Sequence, residues 1–304
     1  MNVIRQYNRV KFDNTLLHPR SMSWDAVSYT HLCLTLAENF DDNRTETIQV
    51  LKQDSIKIEF KNVSFRYPET EKLVLKNISF TINPNSSLSI VGINGAGKTT
   101  IVKLLCRLYT PTEGEIFIND IPISSIPYNN YMNMIGVVFQ DFKLFSFSVR
   151  ENIELDTQSD PEKLNISIDN SMLRNKINSL KNGVETHINK EFDENGVEFS
   201  GGEAQKIAIA RILYKNPSFI ILDEATAALD PIAEYEIYNS FHKLSNGRST
   251  IYISHRLSST RFTDQIAVIE DGKLVEFGSH KELITIPNGK YKKMYETQAQ
   301  YYQY

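Results

Sequence analysis

Residues 92–99 read Gly92-Ile93-Asn94-Gly95-Ala96-Gly97-Lys98-Thr99. The pattern Gly-x-x-x-x-Gly-Lys-[Ser/Thr] constrains the fold because it works in one setting only, a loop between a buried strand and a helix. The glycines let the backbone curl so that successive N–H groups point inward at phosphate oxygens. Lys98 can then reach the β- and γ-phosphates, the Thr99 hydroxyl can hold Mg²⁺, and the helix that follows points its positive end at the same anion. With glycine at about 7% per position, chance supplies the pattern on the order of once in a hundred chains of this length. The flanks lower that rate. Leu88-Ser89-Ile90-Val91 reads as a short buried strand. Ile101, Leu104, Leu105 and Leu108 fall at i, i+3, i+4 and i+7, one helical face. The ligand class is a nucleoside triphosphate with its metal.

Bulk properties narrow the setting. The chain has 304 residues, 41% hydrophobic and 23% charged, enough for one large core or two small ones. A net charge of −4 and a pI near 5.9 lack the basic footprint of a general nucleic-acid binder. Cys33 and Cys106 form no Cys-x-x-Cys pair, which fits a reducing compartment and no zinc site. No stretch approaches the roughly 20 apolar residues of a membrane helix, and the N-terminus has no signal-peptide pattern.

Along the chain, residues 1–37 are irregular. Ala26-Val27-Ser28-Tyr29-Thr30-His31-Leu32 looks like mistranslated sequencing-adapter DNA, so residues 1–32 are expected to be artefact. Residues 38–54 are polar and read as a linker. Ile56, Ile58 and Phe60 then alternate with polar residues, Leu73 to Ile82 follows, and Asn83-Pro84-Asn85 turns the chain; two or three antiparallel strands are expected here. Further short apolar strands are expected at Glu115 to Ile118, Ile135 to Phe139, Phe219 to Leu222, Thr250 to Ile253 and Ile266 to Ile269. Residues 141–200 are mostly polar with helical spacing, and Asp160-Pro161-Glu162-Lys163 marks a helix start. Alternating strands and helices imply a parallel α/β core.

Two more motifs carry chemistry. Asp223 and Glu224 follow an apolar strand, at the end where open α/β sheets bind ligands. Asp223 is suited to orienting Mg²⁺ and Glu224 to polarising the attacking water. Ser200-Gly201-Gly202-Glu203 opens a helix through Ile207, Ile209 and Ile212, again exposing backbone N–H groups to an anion. Alone, each has a plain alternative: a helix cap for the acidic pair, an ordinary turn for Ser-Gly-Gly.

Together, in this order, the three motifs resemble the ATP-binding cassette family, the nucleotide-binding domains of ABC transporters, over about residues 55–290. The resemblance implies a P-loop NTPase core with a parallel sheet and flanking helices, an antiparallel β subdomain, an α-helical signature subdomain at about 141–210, and a Tyr-rich tail at 291–304. It implies ATP and Mg²⁺. It also implies roles for four further positions: Tyr67 stacks on adenine, Gln140 joins Mg²⁺ and water to the helical subdomain, Asp230 in Ala228-Leu229-Asp230 crosses to the partner, and His255 in Ser254-His255-Arg256-Leu257 contacts the γ-phosphate. Gly92, Asn94, Gly95, Ala96, Gly97, Lys98, Thr99 and Thr100 hold the triphosphate, with Thr99, Gln140 and Asp223 on the metal. Glu224 and His255 are the catalytic pair. Two departures stand out: Glu203 replaces the family's usual Gln, and Phe199 its usual Leu. A carboxylate near nucleotide is expected to weaken binding, although Glu in a first helical turn suits the helix. Retention of Glu224 points to hydrolysis.

The resemblance further implies two cassettes head to tail, with ATP between the Gly92–Thr100 loop of one and Ser200–Glu203 of the other. Phe142, Leu144, Phe145 and Phe147 look like the surface that receives a coupling helix. Ser254-His255-Arg256-Leu257-Ser258-Ser259 is closer to exporter cassettes than to importer ones. The expected partners are a second cassette subunit and a transmembrane permease domain, missing from this chain or on a separate one, at the cytoplasmic face of the plasma membrane; no nucleic acid is expected. The loss of family character before residue 38 favours a truncated half-transporter over a free-standing subunit. The alternatives are a soluble ABC ATPase acting on DNA or ribosomes, which normally shows two cassettes or a long coiled coil, and an inactive binding-only fragment.

Overall fold

The computed structural model describes residues 56–155, 159–223, 248–254 and 257–301. The segment 1–37, the linker 38–54, and Glu224, Asp230 and His255 lie outside the described residues.

The first strands, β1 (Ile58–Phe65) and β2 (Leu75–Ile82), pair antiparallel. Alternation buries Ile58 and Phe60, then a bulge at Asn62, with φ 51°, resets the pleat so that Val63, Ser64 and Phe65 are all buried. After β3 (Ser87–Val91) and α1 (Lys98–Leu105) come β4 (Glu113–Ile118) and the short β5 (Ile121–Pro122). These complete a four-stranded antiparallel sheet in the order β2-β1-β4-β5.

The helix α2 (Tyr128–Met134) leads into β6 (Ile135–Val138). Three short helices follow, α3 (Val149–Glu154), α4 (Pro161–Asn170) and α5 (Arg174–Ser179), then the long α6 (Gly201–Lys215). The chain continues through β7 (Phe219–Asp223), β8 (Ser249–Ile253), β9 (Gln265–Glu270) and β10 (Lys273–Gly278), and closes on α7 (His280–Leu283) and α8 (Lys290–Tyr301). The second sheet has six strands in the order β10-β9-β3-β8-β7-β6. Its five strands from β9 to β6 run parallel, and every residue of β3, β7 and β8 is buried, the signature of strands covered on both faces. The exception is β10, which pairs antiparallel at the edge through a tight turn at Asp271-Gly272, both at positive φ.

Several expectations need correction. The helical face projected through Leu108 stops early: α1 ends at Leu105 with Cys106 as its C-cap, and Arg107 is left-handed at φ 54°. Helical spacing over 141–200 holds only to Ser179. Beyond it the chain carries a single 3₁₀ turn and isolated bridges, Ser148 to His187 and Ile188 to Val197, because Asn182-Gly183 and Asp193-Glu194-Asn195-Gly196 favour turns. Asp223 is the last residue of β7, not the first beyond it. Residues 291–301, expected as a tail, are helical, and Tyr291 is fully buried against Val91, Ile266 and Val268.

The helix α6 has two apolar flanks. Ala208, Ile209 and Ile212 pack on β6 and β7, while Ile207, Ala210 and Tyr214 pack on α3, α4 and α5. It is the member shared by the sheet and the helical group. The fit to β6 is tight at Gly136, where an added Cβ would come 2.6 Å from Pro217 and 2.9 Å from Ile212. Gly136→Ala must push α6 off the sheet, and should lower unfolding stability by about 1–3 kcal/mol, read as a lower urea midpoint at unchanged slope.

Candidate functional site

Parallel pairing puts four strand ends on one edge. Ile90 of β3 pairs with Ile253 of β8, Ile253 with Asp223 of β7, and Leu222 with Val138 of β6. One row across the sheet therefore holds the points where Gly92, Ser254, Asp223 and Gln140 emerge. At about 4.8 Å per strand, Asp223 lies about 10 Å from the base of the phosphate loop.

The loop is shaped by two close approaches. A Cβ on Gly92 would sit 2.2 Å from the Ile269 carbonyl oxygen of β9, so only glycine fits. Gly97 occupies the N-cap of α1 at φ 109°, where it supplies no side-chain cap, leaving the first-turn amides to an outside acceptor. The Lys98 ammonium is folded into the loop, donating to the Gly92 carbonyl at 2.9 Å and the Ile93 carbonyl at 3.1 Å. Asn94, Gly95 and Thr99 are exposed, whereas Ala96, Lys98 and Thr100 are buried.

Thr100 points the other way. Its hydroxyl meets the Tyr67 hydroxyl at 3.0 Å, tying the start of α1 to the antiparallel sheet. Tyr67 packs edge-to-face on Phe65 and Tyr109, with centroids 5.0 and 5.2 Å apart, and the Lys103 ammonium lies 5.1 Å from its centroid. A cleft of about 510 Å³ opens here between Tyr67, Arg66, Glu69, Tyr109 and Thr112. That volume suits a base and sugar.

Asp223 is buried at the end of β7, and Gln140 is exposed in the turn after β6. Thr99, Asp223 and Gln140 offer oxygen donors at the same sheet edge. An all-oxygen set with few protein ligands fits Mg²⁺, which keeps most of its shell for water and substrate phosphate.

The Ser200–Glu203 turn is built differently. Ser200 accepts from the Glu203 amide at 3.3 Å, and the Glu203 carboxylate accepts from the Ser200 amide at 2.9 Å, a reciprocal cap. The other carboxylate oxygen takes Lys176 at 2.9 Å. Burial pushes the Glu203 carboxyl up, but the hydrogen bonds from Lys176 and Ser200 outweigh it and hold its pKa below the ordinary value.

Sequence reasoning missed one polar hub. Arg211 of α6 donates from Nε to the Asn152 carbonyl at 2.8 Å and from a terminal nitrogen to Asn152 Oδ1 at 3.3 Å, with Phe145 under its guanidinium at 5.6 Å. Asn152, fully buried, accepts from the Phe145 amide at 2.9 Å and donates to the carbonyls of Phe145 and Ser148 at 2.9 and 3.0 Å. Burial pulls Arg211 down to about 10, far enough above neutrality that the charge persists. The signal was present: Arg211 is a lone cation inside the run from Ile207 to Leu213.

Known proteins resemble this chain over most of its length. The family model described as ABC transporter matches residues 75–227. The chain is 37% identical over 244 residues to an ATP-dependent lipid A-core flippase of Bordetella avium, covering 80% of this chain and 40% of that protein. It is 40% identical over 243 residues to the subtilin transport ATP-binding protein SpaT of Bacillus subtilis, covering 79% and 39%. A solved structure of a bacterial Atm1-family ABC exporter with ATP bound superposes with a TM-score of 0.76 at 35% identity, covering 82% of this chain and 43% of that one. The chain thus spans about two fifths of the length of these three proteins. Among the described residues no helix is long and apolar enough to cross a membrane.

Two outcomes follow from the site itself. Tyr67→Ala should weaken ATP binding by about 1–3 kcal/mol, the usual worth of one base-stacking aromatic, read by calorimetry. Arg211→Ala strands the Asn152 carbonyl and should cost about 2 kcal/mol of stability, with faster amide exchange at Phe145.

Proposed function

The chain belongs to the ABC transporter family, and we propose that it is the ATP-hydrolysing part of an exporter, working as a head-to-tail pair of cassettes coupled to transmembrane helices. The observation that carries this is the single row of strand ends, which gathers the phosphate loop, Asp223 and the Gln140 turn onto one edge, while the Ser200 turn opens α6 beside Lys176 of α5 in the helical group. In this reading the Ser200 turn of one copy, or of a homologous subunit, completes the triphosphate site of the other.

In this reading Lys98 leaves the Gly92 and Ile93 carbonyls for the β- and γ-phosphates, exchanging two carbonyl acceptors for charged ones. The Gly95, Gly97 and α1 amides hold the phosphate oxygens, with Asn94, Ala96 and Thr100 shaping the loop around them. Tyr67 stacks on adenine in the neighbouring cleft. Thr99, Asp223 and Gln140 would hold Mg²⁺, which would supply charge neutralisation to the triphosphate. Glu224 takes the proton from the attacking water, and His255 donates a hydrogen bond to the γ-phosphate. Ser200, Gly201 and Gly202 close on that phosphate from the partner, and the role expected of Asp230 is to cross to that partner. ATP binds the closed pair better and so shifts the population toward it; cleavage removes the bridge.

The relatives are a flippase and a transport protein by name, which supports coupling to a membrane; in this reading that coupling runs through a permease domain at the cytoplasmic face. Here the docking surface is the segment from Phe142 to Phe147, held by Asn152 and Arg211. Phe145 and Phe147 lie 6.2 Å apart, and Phe147 stacks on the exposed Phe192 at 6.4 Å.

The test is the concentration dependence of turnover. ATPase rate should rise faster than linearly with protein concentration, and Glu224→Gln should trap an ATP-bound dimer in sedimentation. A strictly linear rate at low concentration, with no dimer in the variant, would sink the paired mechanism.

A further inference from the structure

The two positions at which the Ser200 turn departs from its family pattern, Phe199 and Glu203, meet one side chain. Lys176 of α5 donates to the Glu203 carboxylate at 2.9 Å and lies 5.2 Å from the centroid of the Phe199 ring. Lys176 and Glu203 are 26% and 28% exposed, so the pair is screened less than an open surface contact.

A carboxylate in this turn poses an electrostatic problem. The α6 N-terminus attracts anions through its first amides and its dipole. A formal negative charge in the first turn stabilises the helix for the same reason, but it also cancels the field that a phosphate would feel. The reciprocal cap engages the amides of Ser200 and Glu203, which leaves those of Gly201 and Gly202 to face an incoming anion. What decides whether they still attract is the net charge beside them. With Lys176 in place that charge is close to zero, and the aromatic face of Phe199 holds the ammonium where it is needed.

We infer that Lys176 is a positioning residue for nucleotide capture: it neutralises Glu203 and so lets an acidic turn close on the γ-phosphate of a partner-bound ATP. This rests on the reading that Ser200–Glu203 faces the partner's nucleotide. Lys176 touches no phosphate itself. It acts through Glu203, and its importance depends on that residue being acidic.

The test is a double-mutant cycle in the full chain carrying Glu224→Gln, with ATP-driven dimerisation read by sedimentation. Lys176→Met should raise the ATP concentration for half-maximal dimerisation by roughly fivefold, the scale of one uncompensated nearby charge. Combined with Glu203→Gln, which can keep the cap through its amide oxygen, the same change should cost less than about twofold. Lys176→Arg should preserve binding. With Glu224 intact, Lys176→Met should raise KM with kcat nearly unchanged. Lys176→Gln provides a second neutral variant, and thermal midpoints check that each is folded. An equal effect of Lys176→Met in both Glu203 backgrounds would overturn the inference, as would no effect in either. Ser200→Arg separates the two levels: if it leaves ATP-driven dimerisation intact, or if no variant dimerises, the paired-cassette reading itself fails. If it abolishes dimerisation while the cycle shows no coupling, only the role of Lys176 fails.

Discussion

Parallel hydrogen bonding of β3, β8, β7 and β6 is the constraint on which the rest depends. In a parallel sheet each strand must return to the same starting edge, so all of the strands release their chain at the opposite one. Ile90, Ile253 and Asp223 lie in a single row, and the residues after them are brought together whatever their distance in sequence. A register slip of one residue would turn Asp223 to the other face of the sheet. The complete burial of β3, β7 and β8 fixes that register, because a slip would exchange the apolar surfaces that the helices cover on each side. The chemistry at the edge thus inherits its geometry from packing deep in the core.

The antiparallel sheet contributes a second, softer constraint. It is joined to the start of α1 through the Tyr67 and Thr100 hydroxyls, and to the β9–β10 turn through Lys76, whose amide donates to the Gly272 carbonyl at 2.7 Å. The cleft beside Tyr67 therefore moves with both sheets.

Much of this was legible in the sequence. The phosphate loop, the apolar strands and the Asp160 cap each follow from local pattern, and the structure places them within a few residues of expectation. What was not legible depends on contacts distant in sequence. The hydrogen bonds of Arg211 to Asn152 cross 59 residues; nothing local distinguishes an arginine that grips a loop from one that faces water. The meaning of Glu203 was invisible for the same reason. Taken alone it looks like an unwanted negative charge, and only the fold brings Lys176 beside it. The antiparallel β10 was a different kind of omission. Its Asp271-Gly272 signal is local and strong, but the strand half-exposes its apolar residues at a sheet edge, so no buried run announced it.

The helix α6 carries the Ser200 turn at its first residue and Arg211 ten positions later. At 1.5 Å per residue these points are about 15 Å apart on one rod. The rod is pinned on two sides, to the sheet and to the helical group, and no proline interrupts it. A displacement at its tip is therefore delivered to the aromatic segment around Phe145 as a movement of the whole body rather than as a relay of small adjustments. A kink between Gly201 and Arg211 would uncouple the two ends and let one move while the other stood still.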